Sequence, residues 1–443
     1  MSRPKVDVIT MGCSKNLVDS ERLLCQLRDA GYDAVHEPKR AGRGDIVVIN
    51  TCGFIGDAKE ESINEILRWG EALKQGRISE LRVMGCLSER YMDELKAEIP
   101  EVTAWYGKRD WGKLVTDLAR KRPATAPYDR VIATPSHHAY LKIAEGCNRF
   151  CAFCAIPLIT GRYKSRPIDE IVSETRLLVS RGVKEFNVIA QDLSNYGNDI
   201  YPKGERSHLA RLVEAISDVE GVEWIRLHYA YPSDFPLDVL DVMASRDNVC
   251  KYIDIALQHI SDLVLSNMRR HIDGRQTREL LAEMRRRVPE LHIRTTLMTG
   301  FPGEGEKEFE ELLDFVREQR FERMGAFAYC EEDDTYAALH LNDDIPAEVK
   351  QQRLDRLMDL QQEISEEIQA SKIGQTLPVM IDRREGEEWV GRTQWDSPDV
   401  DPEVIVKPGK GRKRLIRGHI YKVKITGASA FELTGHTVDE DED

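Results

Sequence analysis

The sequence predicts an α/β protein in three parts: an N-terminal parallel α/β domain, a central partial (βα)6 barrel and a C-terminal small β-barrel. Three observations carry this expectation. Short buried apolar runs alternate with helical periodicity near the N-terminus, six further strand–helix repeats follow, and the last seventh of the chain switches to short alternating runs broken by Gly, Pro and Asp. A length of 443 residues fits several domains better than one.

In the first part, Val6 to Thr10, Asp45 to Asn50 and Leu81 to Met84 read as buried strands. A helix is expected to start near Asp19 or Ser20 as N-cap, to turn Leu23, Leu24 and Leu27 inward, and to stop at Gly31. The stretch from Lys121 to Ser136, with RPATAPYD and ATPS, has the composition of a linker and closes a domain spanning 1–125. His137 and His138 fall at its end and read as a solvated or hydrogen-bonded pair.

The second domain, 135–368, has candidate strands at Tyr140 to Ala144, Glu185 to Ala190, Trp224 to His228, Tyr252 to Leu257, Leu291 to Met298 and Met324 to Tyr329. Helical patterns between them imply right-handed parallel βαβ units, with ligands at the carboxyl ends of the strands. After Pro346, a charge-rich amphipathic stretch through Leu354, Leu357, Leu360 and Ile364 reads as one connecting helix. LPVMID, EVIVK and HIYKVKIT then mark a β-barrel over 371–437, followed by an acidic tail, 438–443.

Composition narrows the function. The formal charge of -14 argues against binding bare nucleic acid through a broad cationic surface. Apolar runs are too short for a membrane span, and the start MSRPKVDVITMG lacks the apolar region of a secretory signal, so a cytoplasmic protein without membrane contact is expected. There, nine cysteines read as metal ligands or core residues rather than disulfides.

The strongest chemical signal is the loop Glu145-Gly146-Cys147-Asn148-Arg149-Phe150-Cys151-Ala152-Phe153-Cys154. Three thiolates on a CxxxCxxC loop leave one corner of a four-iron cubane open for a small-molecule chelate, such as the amine and carboxylate of S-adenosylmethionine. A zinc knuckle fits less well, because the loop has no fourth Cys and no His at zinc-ligand spacing. A second signal is spatial. Cys13, Cys52 and Cys86 each follow a different first-domain strand, in MGCSKN, NTCGF and MGCLS. In a parallel sheet those ends share one edge, where three thiolates can hold another open cluster, with Gly12, Gly53 and Gly85 allowing close backbone approach. Cys25, Cys250 and Cys330 read as packing residues, and the arginine-rich stretch Met268 to Arg287 as a solvated helix face.

These motifs resemble the radical S-adenosylmethionine methylthiotransferases, over essentially the whole chain. GCSKNLVDSE from Gly12 to Glu21, NTCGFI from Asn50 to Ile55 and AKEES from Ala58 to Ser62 are similar to the RimO-type branch; further matches are Gln191-Asp192, Tyr196-Gly197, Leu257-Gln258-His259 and Gly300-Phe301-Pro302-Gly303-Glu304. Two departures are Ile159-Thr160-Gly161, where the family has an aromatic-Arg-Gly pattern, and Asn148, where it has aspartate. The resemblance implies a radical SAM central domain and a TRAM-like terminal barrel. It implies two 4Fe-4S clusters, an auxiliary one on Cys13, Cys52 and Cys86 and a radical-generating one on Cys147, Cys151 and Cys154, with S-adenosyl-L-methionine contacted by Gln191, Gly300 and Gly303. It also implies methylthio transfer to the β-carbon of an aspartate in ribosomal protein S12, giving 3-methylthioaspartate, an electron donor protein, and ribosomal RNA contact through the barrel, where Lys407, Lys410, Arg412, Lys413, Arg414 and Arg417 cluster. The rival readings are a MiaB-like transfer-RNA adenosine methylthiotransferase and a non-catalytic iron–sulfur RNA-binding protein.

Overall fold

A computed structural model describes residues 4–38, 45–118, 124, 128–409 and 414–438. The acidic residues 439–443, most of the RPATAPYD stretch, and Lys410, Arg412 and Lys413 lie outside the described residues.

The first domain is a five-stranded parallel sheet in the order β2-β1-β3-β4-β5, with β1 Lys5–Thr10, β2 Asp33–His36, β3 Ile46–Thr51, β4 Glu80–Gly85 and β5 Ala104–Trp105. The central strand β3 is buried along its whole length, which is why IVVINT shows no alternation. Helices α1 (Ser14–Asp29) and α4 (Trp111–Leu118) cover one face through Leu23, Leu24, Leu27, Leu114 and Leu118. On the other, α2 (Gly56–Lys74) and α3 (Cys86–Glu98) bury Ile66, Trp69, Leu87 and Leu95. The short edge strands β2 and β5 were not expected from the sequence.

Helix α1 starts five residues before its expected cap, with Cys13 as the N-cap residue. Asp19 and Ser20 lie inside the helix, buried, because tertiary partners satisfy them: Asp19 binds Lys108 and Lys142, and Ser20 bonds Thr10 and Asn50. Good capping residues therefore misplaced the start.

The central domain is the expected six-stranded parallel sheet, in the order β13-β12-β11-β10-β9-β6. Its strands are β6 His138–Lys142, β9 Glu185–Ile189, β10 Trp224–Ala230, β11 Val249–Gln258, β12 His292–Thr299 and β13 Arg323–Ala328; β7 (Ala144–Glu145) and β8 (Lys164–Ser165) form a separate antiparallel pair. One set of alternating side chains, including Leu141, Val188, Leu227, Ile255 and Leu297, joins the helices in the largest core. The opposite set is polar. Tyr140, Asn187 and Arg226 stand in register on adjacent strands, as do Asp254, Arg294 and Arg323, so the partial barrel has a polar lumen.

The long helix Ala347–Ala370 leads into a closed five-stranded barrel of β14 (Thr376–Glu385), β15 (Glu388–Thr393), β16 (Glu403–Lys407), β17 (Ile420–Ala428) and β18 (Glu432–Thr437). The segment 394–401 between β15 and β16 packs beneath the amino-terminal ends of the central strands. There Arg226 donates to the Gln394 carbonyl, Arg323 binds Asp396 and Tyr252 donates to Asp401 at 2.8 Å. Behind it, Arg392 bonds Glu185 at 2.7 and 3.0 Å and Asp382 at 2.6 and 2.8 Å. His137 and His138 belong to this network rather than to a linker. Both are buried, His137 Nε2 lies 2.8 Å from Asp382, and His138 opens β6. Arg130, just upstream, is also buried, on Glu21 and Glu174, so the last part of the expected linker is clamped to both domains.

Candidate functional site

The CxxxCxxC loop leaves the carboxyl end of β6 through β7 and returns through β8. Gly146 makes the turn with φ +88°, and the Cys147 amide donates to the Gly161 carbonyl at 3.1 Å, closing the loop on itself. The Ala152 amide is held by the Met268 carbonyl at 2.9 Å. Around the thiols stand donors that stabilise sulfur anions: the Arg149 amide lies 3.5 Å from Cys147 Sγ, and Arg270 Nη1 and the Tyr231 hydroxyl lie 3.2 and 3.6 Å from Cys151 Sγ. Burial pushes the Cys147 thiol up to about 11. Burial, then the charges of Cys151 and Cys147, push Cys154 up as well. Three desolvated thiols that repel one another as thiolates are chemically incomplete without a cation to share.

Cys13, Cys52 and Cys86 meet at the carboxyl edge of the first sheet, as their strand-end positions implied. Cys52 follows β3, Cys86 follows β4 as the first residue of α3, and Cys13 caps α1 beyond β1. The loops are pressed together. A Cβ on Gly12 would lie 2.6 Å from Cys52 Sγ, and one on Gly53 would lie 2.6 Å from the Leu87 backbone, so these glycines bring the three loops to one place. Burial, relieved partly by Lys108 and reinforced by Cys13 and Cys52, pushes Cys86 up to about 12, while burial also raises Cys52.

The two trios face each other across the domain seam. Cys86 packs against Ala155 and Ile159, and Ala155 directly follows Cys154. The buried Lys108 ammonium lies 3.2 Å from Asn16 Oδ1, 3.4 Å from Asp19 and 3.9 Å from Glu145, two residues before Cys147. Lys142 also holds Asp19 and Glu145. Burial opposes ionisation of Glu145, but Lys142 and Lys108 more than offset it and hold the carboxyl below its usual range. The seam is therefore a charge-balanced lid over the barrel mouth, tied at its far rim by Lys59 and Arg90 on Glu332, each at 3.0 Å.

Gln191 donates to Glu145, and among the described residues its Oε1 is buried without a partner, as are Asp192 Oδ1 and Gln258 Oε1. Buried acceptors left open in this way at the mouth suit a polar ligand. Gly300 and Gly303 have packing reasons of their own. Gly300 (φ +72°) lies against the Lys350 side chain and donates to Glu304, and Gly303 (φ +97°) lies against Asn267.

Four residues at the site were not expected from the sequence. Arg270 belongs to the arginine-rich stretch whose pattern reads as a solvated face, yet it is buried between Cys151, the Ala256 carbonyl and the Tyr231 ring. Lys108, Arg109 and Tyr231 had no spacing signal. Arg109 donates to the Thr160 carbonyl, so a cation from the first domain reaches the Ile159-Thr160-Gly161 departure. Among the remaining cysteines, Cys250 is core and Cys25 half-buried, but Cys330, two residues past the end of β13, is exposed rather than packed.

Among the described residues, no three His, Cys, Asp or Glu side chains are set to hold a single metal ion. In a cubane, each thiolate takes a separate iron corner, so its ligands stand farther apart than those of one tetrahedral ion. No helix among the described residues is long and apolar enough to cross a membrane.

Family models match all three domains: uncharacterized protein family UPF0004 over residues 5–107, the Radical SAM superfamily over 141–316 and the TRAM domain over 373–438. Similar solved structures include the radical S-adenosylmethionine methyltransferase TsrM from Kitasatospora setae, with a TM-score of 0.55 at 15% identity over 74% of this chain and 75% of that one, which shows the shared fold. Proteins described as ribosomal protein uS12 methylthiotransferase RimO are much nearer in sequence. That of Parabacteroides distasonis is 58% identical over 98% of this chain and 99% of its own, and that of Phocaeicola vulgatus 56% over 98% and 99%. The chain belongs to the ribosomal protein uS12 methylthiotransferase RimO family.

Proposed function

We propose that this protein is a radical S-adenosylmethionine methylthiotransferase that adds a methylthio group to the β-carbon of an aspartate in ribosomal protein uS12, in the cytoplasm and with electrons from a donor protein. The observation that carries the reading is the apposition of two three-thiol sets across one seam, with Cys86 packed on the residue after Cys154. Cys147, Cys151 and Cys154 would hold one 4Fe-4S cluster, and Cys13, Cys52 and Cys86 a second. When bound, the first supplies the electron that cleaves the C–S bond of S-adenosylmethionine, and the second supplies the sulfur.

The chain's own residues supply placement and shielding. Arg270 and Tyr231 stabilise the charge on Cys151. Gln191 and Gln258 offer unpaired amide oxygens to the cofactor's polar groups, with Gly300 and Gly303 shaping the neighbouring turn. The first domain roofs the lumen and the 394–401 segment floors it, which keeps water from a reactive carbon centre. The terminal barrel offers Lys407, Arg414 and Arg417 for contact with the ribosomal substrate or its RNA.

The test is mass analysis of cells lacking this chain. We expect uS12 to lose the methylthio mass on one aspartate while transfer-RNA nucleosides keep theirs. Loss of a nucleoside modification with uS12 unchanged would select the transfer-RNA reading instead. If both are unchanged and the purified protein does not cleave S-adenosylmethionine, a non-catalytic iron–sulfur role is selected.

A further inference from the structure

We propose that Lys15 receives the carboxylate of the substrate side chain, so that this residue makes the enzyme specific for aspartate over an uncharged counterpart. The proposal rests on the reading that the substrate is an aspartate.

Lys15 stands on the first-domain side of the seam. It lies in the first turn of α1, two residues after Cys13, and its ammonium reaches across the seam to within 2.9 Å of the centre of the Tyr229 ring. Tyr229 is in turn two residues before Tyr231, whose hydroxyl touches Cys151 Sγ. The pair therefore joins a helix turn that follows one thiol set to a strand end that leads to the other, at the seam where a substrate carbon must sit to meet both. Tyr229 is held there against its backbone preference. It has φ +65° at the end of β10, where the register with β11 shifts, and its amide is tied to Asp254 at 3.3 Å. Strain of this kind in a bulky residue persists only where the surroundings fix it, and it gathers at ligand sites.

The second observation is what Lys15 lacks. Lys108 and Lys142, in the same seam, are each paired with Asp19 and Glu145. Lys15 is nearly as buried, at 9% exposure, yet among the described residues it has no carboxylate partner and no hydrogen bond; only the ring face attends it. The ammonium itself keeps some solvent access, so an anion can reach it; an ammonium set on an aromatic face in this way is part-way to a site for an anion, and an arriving carboxylate completes it. In aspartate the β-carbon is bonded directly to the carboxylate carbon. Holding that carboxylate therefore holds the reacting carbon one bond away, with the orientation that C–H abstraction and sulfur delivery both need.

The test uses the full-length, cluster-loaded enzyme, with uS12 and a uS12 variant carrying Asn at the target aspartate as probes. Affinity is measured for both with wild type, Lys15→Met and Lys15→Arg. Wild type should bind the aspartate form about 10- to 100-fold more tightly, the loss expected for one charge-assisted contact. Lys15→Met should bind both forms alike and weakly, and Lys15→Arg should restore the preference, with iron content and near-ultraviolet circular dichroism unchanged in both variants. A Lys15→Met variant that keeps the wild-type preference overturns the proposal. So does one that loses iron or fold when Lys15→Arg does too, since that marks a structural residue. If wild type makes no methylthioaspartate, the substrate reading fails and takes this proposal with it, an outcome visible before any variant is made.

Discussion

The central sheet is sealed at both ends, and the two seals are built differently. At the amino-terminal end, the terminal barrel is fastened by saturated ion pairs: Arg392 spends its guanidinium on Glu185, Asp382 and the Asp396 carbonyl, and Arg323 takes Asp396. At the carboxyl end, the first domain is fastened by Asp19, Lys108, Lys142 and Glu145, but leaves six thiols, several amide and carboxylate oxygens, and Lys15 unfinished. Among the described residues the floor too holds unpartnered atoms, such as His137 Nδ1, His138 Nδ1 and Trp395 Nε1, but its charged groups are paired, whereas at the mouth thiols and a cation gather around open amide oxygens, a set of groups suited to ligands. Substitution should therefore cost stability at the floor and chemistry at the mouth.

The largest expected effect is at the mouth. Changing any one of Cys147, Cys151 or Cys154 to Ala should abolish 5′-deoxyadenosine formation with dithionite while the chain stays folded. Changing Cys13, Cys52 and Cys86 together should remove about half of the iron, for two four-iron clusters, and all methylthiolated product, but leave 5′-deoxyadenosine. Full iron in a folded triple variant would return those cysteines to core packing.

At the floor, Arg392→Met leaves Glu185 with Arg226 alone and Asp382 with His137 alone, a loss of about 3 kcal/mol, the low end for a broken buried pair. Urea unfolding should show the terminal barrel releasing early, with proteolytic cleavage near residues 371–375. Equal stability would mean that the apolar contacts alone hold the joint. The smallest effect concerns pH. Burial, and then Arg392, push His138 down to about 4, against about 6.5 in an unfolded chain. The unfolded chain thus binds a proton first, so stability is unaffected above pH ~6.5 and falls by about 2–3 kcal/mol as pH drops from there toward 4. His138→Asn should flatten that part of the stability profile.

The same contrast explains what could be read in advance. The six central strands, the CxxxCxxC loop and the meeting of Cys13, Cys52 and Cys86 follow from periodicity, contiguous spacing and a topological rule, all of them local or repeated signals. Arg270 and Lys108 do not. Each is a cation whose role comes from a partner far along the chain, Cys151 for one and Asp19 with Glu145 for the other, and no spacing encodes such a pair. The linker placement of His137 misleads for the same reason: its hydrogen-bond partner Asp382 is 245 residues away. The start of α1 misled because Asp19 and Ser20 are good caps by residue type, yet the fold uses them as buried links.

The 394–401 segment has a consequence for how the molecule is made. A chain emerging from the ribosome N-terminus first can form its first sheet and all six central strands before the last domain exists. Until residue 396 has been synthesised, however, Arg323 lacks Asp396, and Arg226, though already paired with Glu185, lacks the Gln394 carbonyl, so the central domain waits with an open base. The last tenth of translation therefore finishes the middle of the molecule, and a chain cut short after the long helix would carry every cysteine of the chemistry on a domain still open at one end.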